Sequence, residues 1–140
     1  MFAYLCLGTN NLKRAIRFYD PVMAALGHRR CLVQDEAGWD GWAGWGIYED
    51  KGARELALWV CPAFDKRAAT VGNGSMIALK AISWQQVEHF HAAALQFGGS
   101  SEGGPGLRPQ YQPDFYAAYV RDPDGHKLAV VCRGFLVERS

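Results

Sequence analysis

The stretch YVRDPDGHKLAVVC, Tyr119 to Cys132, sets two short runs of strand formers on either side of an acidic turn. Pro123 presets one backbone dihedral, and Gly125 takes the left-handed position that closes a hairpin. If the turn pairs Arg121 with His126, Tyr116 and Ala118 share a face with Ala129. Working outward from this hairpin, one order of elements occurs twice.

In the first half, Phe2 to Leu7 is an apolar strand. After "GTNN" the apolar residues Leu12, Ala15, Ile16, Tyr19, Met23 and Leu26 recur at helical spacing. A helix is expected over about 11–26, capped by Asn10 or Asn11 and stopped by Gly27. Pro21 should kink it or mark its last turn. Strands are expected over His28–Gln34, Gly44–Glu49 and Glu55–Cys61. In the second half, Ser75 to Ala81 is a strand. Ser83 and Gln86 form a capping box that opens a helix over about 83–97, and Gly98-Gly99 ends it. The glycine-rich "GGSSEGGPGLRPQYQPD" reads as a loop leading to strands Phe115–Arg121 and Lys127–Cys132. About eight strands are expected in all. Laying Asn11 over Ser83 sets Tyr4 over Met76, and laying "ELAL" over "KLAV" sets Ala57 over Ala129. The expectation is an α+β fold of two βαβββ modules, about 1–62 and 74–135, in a single domain of 140 residues.

Composition narrows the function. At 49% hydrophobic and 21% charged the chain is globular. A formal net charge of +1 without a basic run argues against nucleic-acid and anionic-membrane partners. Cys6, Cys31, Cys61 and Cys132 form no Cys-x-x-Cys pair, which argues against structural zinc. No leader or membrane-length apolar run is visible, so a reducing cytoplasm is expected. His89 and His91 point to different helix faces. His28 and His126 read as solvated or capping residues.

Three segments carry a resemblance: "LGTNNLKRAIRFYDPVMAALG", "GNGSMIAL" and "AAYVRDPDGHKLAVVC". In this order and spacing the chain resembles the vicinal oxygen chelate superfamily of glyoxalase I, extradiol dioxygenases, and bleomycin- and fosfomycin-resistance proteins. The resemblance implies paired modules whose curved sheets enclose a cavity, often completed by dimerisation. It also implies a divalent cation on His, Gln or Glu side chains, acting as a Lewis acid. Those ligand positions carry over onto Tyr4, Ala57, Met76 and Ala129. Alanine offers no donor atom, the methionine thioether is soft, and tyrosine ligates only after losing a proton with a pKa of about 10. No metal and no cofactor are therefore expected.

Strand alternation from these positions puts Tyr4, Cys6, Ala57, Trp59, Met76, Ala78, Ala129 and Val131 on one inner face. It suits a flat apolar ligand with one or two polar groups, or side chains that fill the space themselves. Trp39, Trp42 and Trp45 in "GWDGWAGWG" read either as an aromatic clamp or as cover for the sheet or an interface. In "GLRPQYQPDFY", Arg108 and Tyr111 lie on a proline-stiffened loop where Arg108 can meet a carboxylate or phosphate. The expected ligand-binding set is Tyr4, Ala57, Trp59, Met76, Arg108, Tyr111, Tyr116 and Ala129. The expected function is metal-free binding of a small, partly apolar or aromatic molecule by a homodimer. The alternatives are a metal-dependent lyase, transferase or dioxygenase, a metal-free enzyme using Tyr4 or Tyr116 as acid, and a structural dimer with a filled cavity.

Overall fold

The computed structural model describes residues 1–33 and 41–134. Among them are seven strands and two α-helices: β1 Tyr4–Gly8, α1 Leu12–Ala25, β2 Ala43–Glu49, β3 Arg54–Cys61, β4 Ile77–Lys80, α2 Trp84–Gln96, β5 Ser100–Leu107, β6 Tyr116–Arg121 and β7 Lys127–Cys132. Three strands make one sheet in the order β1-β3-β2, and four make the other in the order β4-β7-β6-β5. In each sheet the first strand of a module runs parallel to its last strand, and the other pairs are antiparallel. This is the α+β architecture the repeated order predicts. No helix among the described residues is long and apolar enough to cross a membrane.

The helices start where the sequence expects. The Asn11 side chain accepts from the Arg14 N–H at 3.0 Å, and Ser83 Oγ accepts from the Gln86 N–H at 3.1 Å. Gln86 returns a bond at 3.0 Å, but to the N–H of Ile82 rather than Ser83. Helix α1 continues through Pro21, which lies a turn before its end.

Both helices pack on one face of the sheets and against each other. Phe18, Tyr19 and Val22 of α1 and Val87, Phe90 and Ala94 of α2 are sealed against Leu58, Val60, Val120, Leu128 and Val130 in one cluster that spans both modules. Burying each valine, leucine or phenylalanine among them is worth about 1.5–3 kcal/mol, so neither module's core is complete alone.

The acidic turn fastens the halves together. Asp122 Oδ1 accepts the N–H groups of Asp124 and His126, both at 2.9 Å, and shapes the turn. Its Oδ2 accepts the Tyr19 hydroxyl at 2.6 Å. Asp124 accepts from Thr9 Oγ1 at 2.6 Å, the Asn10 N–H at 3.0 Å and Arg14 Nη2 at 2.9 Å. His126 bonds the Gly8 carbonyl at 2.7 Å. The aspartates and His126 of this hairpin thus join module two to the β1–α1 corner of module one.

Three expectations are corrected. The segment expected as strand His28–Gln34 gives, in its described part, only the bridge Arg30↔Trp45, and Gln34 lies outside the described residues. The glycine-rich loop contains strand β5, at a sheet edge where Pro105 removes no shared hydrogen bond. Its pairing with β6 slips between Ser101 and Gly103 and again between Gly103 and Gly106. Finally, the turn closes one residue later than expected: Asp122 N–H bonds the His126 carbonyl at 2.9 Å, and Arg121 pairs with Lys127. A one-residue slip turns every side chain of the strand over. Tyr116 and Ala118 accordingly lie in the helix-side core, while Tyr119 pairs with Ala129 on the opposite face.

Candidate functional site

The face turned away from the helices carries Tyr4, Cys6, Ala57 and Trp59 in module one, and Met76, Ala78, Tyr119, Ala129 and Val131 in module two. The two modules use it differently. In module one Trp59 lies over Gly44, buried to 1% exposure, with its indole N–H bonded to Glu55 Oε2 at 2.7 Å. Tyr48 and Trp42 meet it edge-on at 5.5 and 6.4 Å between ring centroids. Cys31, Val33 and Ala57 complete this second cluster. Side chains fill the first cup around Trp59.

In module two the equivalent floor is Ala78, Ala129 and Val131, and it stays open. A hollow of about 310 Å³ lies over these residues. It shares Met76, Phe115, Tyr119 and Arg133 with a larger hollow of about 710 Å³, which reaches Glu102, Arg108, Tyr111, Gln112 and Lys127. The loop from Arg108 to Phe115 forms one wall and is closed by backbone bonds, among them Arg108 N–H to the Phe115 carbonyl at 2.7 Å. Tyr111 leans edge-on against Phe115 at 5.2 Å.

Arg108 folds back along β5, donating from Nη1 to the Gly106 carbonyl at 2.8 Å and from Nη2 to the Gly104 carbonyl at 2.7 Å. Its guanidinium lies over the Tyr119 ring at 5.5 Å from the centroid. Lys127 Nζ approaches the same ring at 5.6 Å, and the Arg133 guanidinium covers Phe115 at 4.8 Å. Glu102, the cavity's carboxylate, is paired with Arg121 at 2.9 Å, and that hydrogen bond holds it below the usual carboxylate range.

The residues expected to bind a ligand therefore separate. Met76, Arg108 and Tyr111 line the larger hollow, and Met76 and Ala129 the smaller one. Tyr4 stands apart, beside Cys6, Trp42 and Cys61 at a third hollow of about 470 Å³. Ala57 and Trp59 belong to the filled cup. Tyr116 lies on the other side of the sheet, stacked on Trp84 at 4.2 Å and donating to Glu88 Oε1 at 3.1 Å. Burial and that bond to Glu88 raise its pKa, so it holds its proton more firmly. Phe115, Tyr119, Lys127 and Arg133 were missed from the sequence. Alternation from Ala129 would have found Tyr119 had the turn been counted as five residues. Trp45 is core, its N–H on Asp20 at 2.8 Å. Trp39 lies outside the described residues.

The metal positions also shift. Tyr4 pairs with Ala57, but Ala129 pairs with Ala78 rather than Met76. The offset is two residues, one full pleat, so the face is unchanged. Alanine at 57, 78 and 129 supplies no donor, and one tyrosine with one thioether does not make a divalent-ion site. These residues do not fit the metal that the fold suggests. Among the described residues no three His, Cys, Asp or Glu side chains are grouped to hold an ion elsewhere.

No family profile matches the sequence, and no curated protein matches it. Solved structures do. A glyoxalase/bleomycin resistance protein from Albidiferax ferrireducens T118 is 29% identical, with a TM-score of 0.78 over 95% of this chain and 98% of that one. A glyoxalase-related enzyme from Fulvimarina pelagi has a TM-score of 0.67 at 18% identity, covering 95% of this chain and 88% of that one. A glyoxalase/bleomycin resistance protein/dioxygenase family enzyme from Burkholderia phytofirmans PsJN has a TM-score of 0.66 at 12% identity, covering 94% and 97%. The last two support the fold alone; the first adds sequence likeness along nearly the whole length. Taken with the repeated strand–helix–strands order and the hairpin that joins its halves, they give this chain the glyoxalase/bleomycin-resistance fold and support its resemblance to the vicinal oxygen chelate superfamily.

Proposed function

We propose that the chain binds a small, partly apolar or aromatic molecule on the helix-free face of its second module, without a metal. The supporting observation is the contrast between two related cups. Where module one has Trp59 and keeps one hollow of about 470 Å³ toward β1, module two has alanines and Val131 and keeps adjoining hollows of about 310 and 710 Å³, the size and mixed lining of small-molecule sites. A metal-dependent lyase or dioxygenase would need donors that Tyr4, Ala57, Ala78, Met76 and Ala129 do not provide. Homodimerisation belongs to the same proposal, because β1 and β4 are sheet edges and Tyr4 and Met76 beside them are 53% and 48% exposed.

A thermal-shift screen with small aromatic compounds, run in parallel on Ala78→Trp, tests the binding reading. Ala78 is exposed, so the indole can fill the smaller hollow without disturbing the core. The expected result is a set of compounds that raise the melting temperature of the parent protein and not that of the variant. Compounds that stabilise both equally bind outside the smaller hollow and count against a ligand seated on Ala78 and Ala129.

A further inference from the structure

Resting on the reading that the second-module cavity binds a small molecule, we infer that this molecule is an anion, an aromatic or partly apolar compound carrying a carboxylate. The charge balance of the lining gives the sign. Among the described residues that line it, Arg108, Lys127 and Arg133 face one carboxylate, Glu102, and Glu102 is already neutralised by Arg121 at 2.9 Å. A protein of formal net charge +1 thus gathers three cations at one hollow. Fields of one sign in a concave site of low polarity raise the local concentration of the opposite charge.

The cations are also held in place by the walls. Arg108 and Lys127 sit at the Tyr119 ring and Arg133 at Phe115. A ring face attracts a cation without neutralising it. Each charge keeps its remaining N–H donors while its position is restricted. Arg108 is the most constrained. Two of its five donors are taken by the carbonyls of Gly104 and Gly106, which fixes the plane of the guanidinium.

The glycines of β5 let the guanidinium lie close along the strand. A Cβ at Gly103 would come within 3.2 Å of Arg108 Nη2, and one at Gly106 within 3.2 Å of Nη1. Side chains there would move the guanidinium by a few tenths of an ångström. A planar donor fork beside aromatic rings matches a planar carboxylate on an aromatic body.

Calorimetric titration with 2-naphthoate, its neutral isostere 2-naphthamide and the cation 2-naphthylmethylammonium tests the inference. Naphthoate should bind about tenfold or more tighter than the amide, the difference expected from one hydrogen bond to a charged group. The ammonium should bind weakest. Arg108→Gln and Lys127→Gln should each weaken naphthoate several-fold more than the amide, and added salt should act likewise. Equal binding of acid and amide would overturn the anion inference and leave the cavity reading standing. If none of the three probes binds, the cavity reading fails and the anion inference falls with it.

Discussion

Tyr19 on the first helix donates a 2.6 Å hydrogen bond to Asp122, 103 residues away in the turn of the last hairpin, and both are buried. This bond crosses from one repeat to the other. With Asp124 on Thr9, Asn10 and Arg14 it fixes the angle at which the modules meet, and hence how the second-module cavity stands to the rest.

Removing this hydroxyl should be costly, because Asp122 Oδ2 then lies buried without its partner. Tyr19→Phe is expected to lower unfolding stability by about 1–3 kcal/mol, the cost of an unsatisfied buried acceptor. Asp124→Ala should cost about 1.5–3 kcal/mol through its charge-assisted bonds. Urea denaturation measures both, and a loss under 0.5 kcal/mol in each would remove the turn's fastening role.

Alkaline pH should destabilise the protein in two stages. Burial raises the Cys61 thiol to about 12, and it also raises Cys31. Burial, followed by the charge of Asp122, raises Tyr19 well above its usual value. In each case the folded state keeps a proton that the unfolded state releases. The stabilisation is therefore complete below the unfolded pKa, about 8.5 for cysteine and 10 for tyrosine, and is lost as pH climbs past it. Urea midpoints should fall from about pH 8.5 and more steeply from about pH 10, with Tyr19→Phe flattening the second fall. A midpoint constant to pH 11 would contradict this.

Gly44→Ala should disturb the filled cup. Its new methyl would overlap the Trp59 ring, and overpacking of this kind costs about 1–3 kcal/mol. Gly74→Ala, with nothing within 4 Å, is the control and should stay within about 0.5 kcal/mol of the parent. Denaturation curves and the tryptophan emission spectrum check the pair; a silent Gly44→Ala would mean the cup has room.

The thiols should differ in reactivity. Cys6 is exposed, whereas Cys61, 3.4 Å away between the sulfurs, is buried with its thiol pushed up to about 12. Thiolate is the reacting form. Brief iodoacetamide treatment at pH 8, read by peptide mass spectrometry, should label Cys6 well before Cys61, Cys31 or Cys132. Equal labelling of Cys61 would place it at the surface.

Sedimentation velocity checks the proposed homodimer, with a dimer expected at micromolar concentration. A charge placed at the exposed edge by Tyr4→Glu should shift the population toward monomer. A monomer throughout would leave the edges of β1 and β4 uncovered.

Much of the fold was legible because local patterns carry it. The spacing of Ala15, Tyr19 and Met23 and of Val87, Phe90 and Ala94 marks two helix faces, and Asn11 and Ser83 cap them through bonds that span three residues. Strand β5 was hidden because Gly103, Gly104, Pro105 and Gly106 carry no strand signal. What makes it a strand is pairing with β6, a partner distant in the chain. Of the expected site, Met76, Arg108, Tyr111 and Ala129 line the second-module hollows. Trp59 fills the first cup, where alternation gave its face but not the direction its ring would lie.

The sequence by itself determined the order of elements, the caps, and the lack of a donor atom at Ala57 and Ala129, since each depends only on residue type and short spacing. Tertiary structure alone decided which tyrosine faces the cavity. Asp122 gathers the N–H groups of Asp124 and His126 and pairs Arg121 with Lys127, making the turn one residue longer than its motif. In a period-two strand that single residue exchanges Tyr116 for Tyr119. It thereby supplies the ring on which Arg108 and Lys127 rest.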